Sequence, residues 1–190
     1  MDLFEGATMA AGYAADRPPV HAEVMALVAS AADWSEPVGR ALDVGCGAGA
    51  STRAMQPWAR SMVGVDPLPE MVCAASSAVA GAQFAVGSAE WLPIASGAVD
   101  VIVTAGALNF VELPRFAAEA ARVLNGDGVI AVYDFATGRR SAAAHRVTEV
   151  YDGFAQRWPR PTSGRQVINP AVLSAVGFSV INSPARSMRQ

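Results

Sequence analysis

The chain has no lysine: its fourteen basic residues, counted against seventeen acidic ones, are all arginines. This excludes Schiff-base lysines and any phosphate loop that needs one. The arginines are scattered and the net charge is −3, so no basic stripe for nucleic acid is expected. There are only two cysteines, Cys46 and Cys73, too few and too isolated for a disulfide framework or a zinc site. No metal site is expected, and the cysteine usage fits a reducing compartment. No apolar run reaches the roughly 18 residues of a membrane span, and the start of the chain lacks a basic segment followed by an apolar one. The expectation is a soluble, cytoplasmic protein with no membrane partner. Internal repeats, low-complexity blocks and linkers are also missing. With 190 residues and 52% apolar composition, the chain suits one globular domain spanning 1–190. Within it, 1–32 read as an N-terminal helical segment, 38–135 as a core and 136–190 as a C-terminal segment.

What is present is an alternation of strands and helices. Pro18-Pro19 can open a helix running to about Ala32, with Val20, Val24, Leu27 and Val28 on one face. "RALDVG", "SMVGVD", "AQFAVGSA", "AVDVIVTAGAL" and "VIAVYDF" read as five strands. Between them, Ala50 to Trp58, "PLPEMVCAASSAVAG" closed by Gly81, and "LPRFAAEAARVLNGDG" stopping at Asn125-Gly126 read as helices. The β-branched run of the fourth strand suggests a strand covered on both faces. This rhythm predicts an α/β fold with a doubly wound, mostly parallel sheet. The C-terminal part offers a helical stretch from Ser141 to Trp158, a Pro-rich break, a short helix in "NPAVLSAVGF" and the apolar "FSVIN".

In such a sheet, ligands bind beyond the carboxyl ends of the strands, where the strand order reverses. The stretch "ALDVGCGAGAST" ends an apolar strand in glycines 45, 47 and 49. Glycines there let the backbone turn sharply and approach a ligand, and the start of the next helix favours a negative group. The spacing is G-x-G-x-G, so the G-x-G-x-x-G dinucleotide fingerprint fails, and no P-loop is present. Asp66, at the end of the second strand, lies 66 − 47 = 19 residues beyond the middle glycine. A carboxylate there can accept both hydroxyls of a ribose. A glycine loop with a ribose acid and no phosphate machinery points to a nucleoside without a diphosphate.

The ordered set "LDVGCGAG", "GVDP", "GSAEWLP", "VDVIVTAGALNF" and "RVLNGDG" resembles the class I S-adenosylmethionine-dependent methyltransferases, especially their small-molecule branch, over roughly Tyr13 to Phe135. The resemblance implies that Asp43, Gly45, Cys46 and Gly47 surround the methionine part of S-adenosylmethionine. It implies further that Asp66 holds the ribose with Pro67 beside the adenine, and that Ser88, Ala89 and Glu90 border the adenine. Thr104, Ala105 and Leu108 would line the methionine side. Tyr13 and Arg17, in a segment resembling one that closes over the cofactor, would meet its carboxylate. Three departures stand out. Ser88 replaces a frequent acid, Asn109 replaces a frequent histidine in "LNF", and "NGDG" replaces the usual turn before the fifth strand.

Methyl transfer from a sulfonium needs orientation of the nucleophile and only sometimes a base. The candidates are Asn109 after the fourth strand, Asp134 at the end of the fifth, and His145 beyond it. His21 reads as a surface residue and Cys46 as a small packing residue. Trp91 has the best claim among the tryptophans to a ligand, with core packing as its default, as for Trp158. The acceptor implied is a small, partly hydrophobic molecule bearing an O, N or C nucleophile. A non-catalytic S-adenosylmethionine-binding protein and a nicotinamide-dependent oxidoreductase are the alternatives. The related fold completes its sheet with an antiparallel hairpin, for which "FSVIN" supplies one strand. A sheet of about six strands with its last strand missing or rudimentary is therefore expected, its edge covered by Trp158 to Gly164 or paired with a second subunit, in a monomer or a homodimer respectively.

Overall fold

In a computed structural model of the chain, residues 20–134 and 169–179 are described. Helix α1 spans Val20–Ala31, followed by strand β1 (Val38–Val44), α2 (Ala50–Met55), β2 (Ala59–Asp66), α3 (Pro69–Ala78), β3 (Gln83–Val86), β4 (Val99–Ala105), α4 (Leu113–Val123), β5 (Leu124–Tyr133) and α5 (Pro170–Ser174). The strands form one sheet in the order β3-β2-β1-β4-β5, with every pair parallel. The order reverses between β1 and β4, which puts the crevice of a doubly wound sheet at their carboxyl ends.

Both faces are covered, as the apolar strands require. On one, Leu42, Val65 and Ile102 pack with Phe116, Ala120 and Val123 of α4, and Val172, Leu173 and Phe178 lie against this cluster. On the other, Ala41, Val101, Val103 and Ala131 pack with Met25 of α1 and Met55 of α2. The most buried stripe of α1 is His21, Met25 and Ala29, flanked by the partly buried Val24 and Val28, so the helix is turned by about one residue from the apolar face expected. Helix α2 breaks after Met55 into a single 3-10 turn, Gln56–Trp58, because Pro57 cannot donate to a continuing helix. Helix α3 ends at Ala78, three residues before the Gly81 proposed to close it.

The segment read as a turn after α4 lies inside β5. Val99 pairs with Leu124 and Val101 with Val129, so two steps on β4 match five on β5. The extra residues make a bulge over Asn125 to Gly128, where the Asn125 Oδ1 accepts from the Asp127 amide at 3.2 Å and its amide donates to Asp100. The "NGDG" composition does create a local reversal, but strand pairing resumes on both sides of it. Five strands are present among the described residues. The expected further strand in "FSVIN" and its cover at Trp158 to Gly164 fall largely or wholly outside them.

Candidate functional site

The carboxyl ends of the five strands form a rim on which most of the residues singled out in the sequence converge. After β1 the chain turns through three glycines with left-handed backbones, Gly45, Gly47 and Gly49, with φ of 69°, 51° and 87°. Two are further constrained by packing. A Cβ on Gly45 would lie 2.3 Å from that of Ala107, and one on Gly49 would lie 2.8 Å from Val79. The loop folds back on β2, where the Gly45 and Cys46 amides both donate to the Val65 carbonyl at 2.8 and 3.1 Å.

Asp66 sits where the loop and β2 meet. Its Oδ2 accepts from the Gly47 amide at 2.9 Å and its Oδ1 from the Leu68 amide at 3.0 Å. Burial to 7% exposure raises its pKa, and the two amides oppose that shift. An ionised carboxylate has about four acceptor sites, so two remain for further donors. Pro67, the next residue, is exposed.

Asp43 is fully buried one turn below the loop. Its Oδ2 accepts from Ser51 at 2.7 Å and Thr52 at 2.6 Å, and its Oδ1 is buried without a partner. Burial pushes its pKa up to about 6, against the Thr52 and Ser51 hydrogen bonds and with a further push from Asp66. Ser51 and Thr52 had not been singled out, although a Ser-Thr pair opening the helix after a glycine loop is a signal for such anchoring. Cys46 is buried between the two acids, and burial together with their charges pushes its thiol up. It is a packing group rather than a nucleophile.

Beyond β3, the Ser88–Trp91 turn brings Ser88, Ala89 and Glu90 to the rim beside Asp66, whose carbonyl accepts from the Gly87 amide at 3.1 Å. The Glu90 carboxylate reaches away, accepting from the Glu112 amide at 2.9 Å. Trp91 is 81% exposed and lines an outer groove of about 540 Å³ with Pro93, Ile94, Glu119 and Arg122. It therefore does not pack in the core. At the end of β4, Thr104 is buried with its Oγ1 unpartnered and Ala105 pairs with Tyr133, and just beyond the strand Leu108 is a buried anchor.

At the far end of the rim, the Asn109 amide donates to the Asp134 Oδ2 at 2.9 Å. Gly106 adjoins the carboxylate, since a Cβ there would lie 3.3 Å from the Asp134 Oδ1. His21 is a correction to the sequence reading. It is 7% exposed, not on the surface, and its Nδ1 is 2.9 Å from the Tyr133 hydroxyl with the rings edge to face. Helix α1 lays its first turn on β5, which buries the histidine. Tyr13, Arg17, His145 and Trp158 lie outside the described residues. Among the described residues, no group of three or more His, Cys, Asp or Glu side chains could hold a metal, and no helix is long and apolar enough to cross a membrane.

Residues 42–132 match the family described as "Methyltransferase domain". The uncharacterized methyltransferase YcgJ of Bacillus subtilis is 37% identical over 101 residues, covering 50% of this chain and 40% of that protein. The crystal structure of YcgJ covers 81% of this chain and 67% of that one, with a TM-score of 0.59 and 28% identity. The phthiotriol/phenolphthiotriol dimycocerosates methyltransferase of Mycobacterium leprae is 30% identical over 142 residues, covering 72% of this chain and 50% of that protein. The chain thus spans about half or less of the length of the curated relatives it matches.

Proposed function

We propose, from the match of residues 42–132 to the methyltransferase domain family, that the chain binds S-adenosylmethionine on the strand rim and transfers its methyl group to a small, partly hydrophobic acceptor. The observation that carries this reading is the Asp66 carboxylate, held by the Gly47 amide at 2.9 Å at the mouth of a glycine loop that has no room for side chains at 45 and 49. An acid so placed accepts the hydroxyls of a ribose. The G-x-G-x-G spacing departs from the dinucleotide fingerprint, and without lysine there is no P-loop.

In this reading Asp43, Gly45, Cys46 and Gly47 surround the methionine half with Thr104, Ala105 and Leu108, and Pro67, Ser88, Ala89 and Glu90 border the adenine. Tyr13 and Arg17 cover the carboxylate end. When bound, the cofactor would supply a methyl group already activated by its sulfonium sulfur, which would be the leaving group. The chain's own task is to orient the acceptor and to take up its proton where it has one. Asp134, steered by Asn109, is the group that receives this proton at a carboxylate oxygen and passes it to water, with His145 as the other candidate base.

Calorimetric titration of the full chain with S-adenosylmethionine, S-adenosylhomocysteine and NAD tests the cofactor. Binding of the first two and not the third is the expected result, and binding of NAD alone would overturn it. A turnover screen over small phenols, amines and carboxylic acids then identifies the acceptor. Cofactor binding with no transfer to any of them would favour a non-catalytic binding protein.

A further inference from the structure

The connection from β3 to β4, residues 87–98, contains no helix, and within it the Trp91 amide donates to the Ser88 carbonyl at 3.2 Å. Most of its other backbone polar groups that are bonded find partners on one neighbour, α4. At the end of that helix the Arg122 guanidinium donates to the Leu92 carbonyl at 3.1 Å, the Ile94 carbonyl at 2.8 Å and the Ser96 hydroxyl at 3.4 Å. It also grips both oxygens of Glu119 at 2.7 Å. Its five N–H donors therefore have five acceptors. Glu119 in turn accepts from the Leu92 amide at 2.9 Å, and the Gly97 amide donates to the Arg122 carbonyl at 2.9 Å. At the start of α4, the Glu112 amide donates to Glu90 at 2.9 Å. Leu92 and Ala89 are buried in the cluster that includes Phe116 and Ala120. The connection is thus splinted along the whole of α4, and the Ser88–Trp91 turn it carries adjoins Asp66 through the Gly87 amide.

We infer that Arg122 and Glu119 are positioning residues for the adenine side of the cofactor site: their hydrogen bonds are made to the connection rather than to the rim, and they hold the Ser88–Trp91 turn in the place where the cofactor needs it. The inference rests on the methyltransferase reading. Its physical basis is preorganisation. A connection whose own backbone hydrogen bonding is confined to the Ser88–Trp91 turn samples many arrangements once released, and apparent affinity falls by the fraction that remains competent. Lysine cannot substitute, because a single ammonium with three donors cannot reach five acceptors set around a planar fork.

The test uses the full chain and Arg122→Ala, Arg122→Lys and Glu119→Gln. Affinities for S-adenosylhomocysteine and for adenosine are measured by calorimetry, and amide exchange is followed over residues 88–97. Both arginine variants are expected to bind each ligand about tenfold more weakly. Exchange across 88–97 should be faster in the free variants and slow again on saturation with S-adenosylhomocysteine. A merely structural role would lower melting temperature but leave the affinity of the folded protein for adenosine unchanged. Affinities within twofold of the unsubstituted chain would overturn the inference. If Arg122→Ala fails to fold, Glu119→Gln, which keeps the guanidinium and its carbonyl contacts but weakens its grip, decides by the same readings with a smaller loss. Failure of the unsubstituted chain to bind either ligand would overturn the methyltransferase reading, and the inference with it. Faster exchange over 88–97 in the variants would then mark a structural clamp only.

Discussion

The two ends of the strand rim are built differently. At the ends of β1 and β2, Asp43 and Asp66 are buried, and four donors from the glycine loop, α2 and the second residue past β2 hold them, so the charged groups are in place before any ligand arrives. Beyond β4 and β5, Asn109 and Asp134 share a hydrogen bond at a more open edge, where Asp134 is exposed. In the proposed reading, ligand groups common to every turnover justify the cost of burying two carboxylates. A variable acceptor is better met by side chains that can be changed without disturbing the sheet.

Removing the ribose acid should break the prebuilt end most completely. Asp66→Ala deletes two charge-assisted hydrogen bonds and is expected to weaken S-adenosylhomocysteine binding by roughly 2 to 5 kcal/mol. Calorimetry showing unchanged affinity would remove Asp66 from the ribose site.

Asp43 sharpens the comparison through pH. Its folded pKa, about 6, lies above the ordinary 3.8, so the folded state holds this proton longer than the unfolded one. Its contribution to stability is complete below about 3.8 and is lost as pH rises toward about 6, an effect of roughly 3 kcal/mol at most. Denaturant melts from pH 4 to 7 should show that decline in the unsubstituted chain and a flatter profile in Asp43→Asn. Parallel profiles would contradict the buried, half-partnered carboxyl.

At the open end the expected signature is a separation of binding from transfer. Asp134→Asn should lower the rate of transfer to a proton-bearing acceptor about 100-fold, with Asn109→Ala lowering it less. Both should leave S-adenosylhomocysteine affinity within about 0.5 kcal/mol. Loss of cofactor affinity in either would show that the two ends are not separate.

The smallest effect lies between them. Thr104→Val keeps the shape of a fully buried side chain while removing an unpartnered hydroxyl, and should raise stability by about 1 kcal/mol in thermal or denaturant unfolding. A loss of stability would reveal a partner for Oγ1.

Much of the prebuilt end was legible because its elements are close in sequence. Gly45, Gly47 and Gly49 follow an apolar strand directly and Asp66 closes the next one, whereas Ser51 and Thr52, eight and nine residues from the acid they hold, are equally local but carry no such signature on their own. The separations that mislead are the long ones. His21 meets Tyr133 across 112 residues. The "NGDG" bulge looked like the end of a helix and a turn because strand pairing on both sides of it depends on Val99 and Val101, far upstream.

Composition and periodicity determined the alternating α/β pattern, the parallel sheet buried on both faces and the glycine loop with an acid at the end of the next strand, since backbone conformation and burial follow from neighbours within a few residues. Tertiary structure alone decided that Trp91 faces an outer groove, that Asn109 reaches Asp134 across 25 residues, and that Arg122 gathers a connection that precedes it by 25 to 30. Such contacts arise from strand order and helix packing, which no local window of the chain contains.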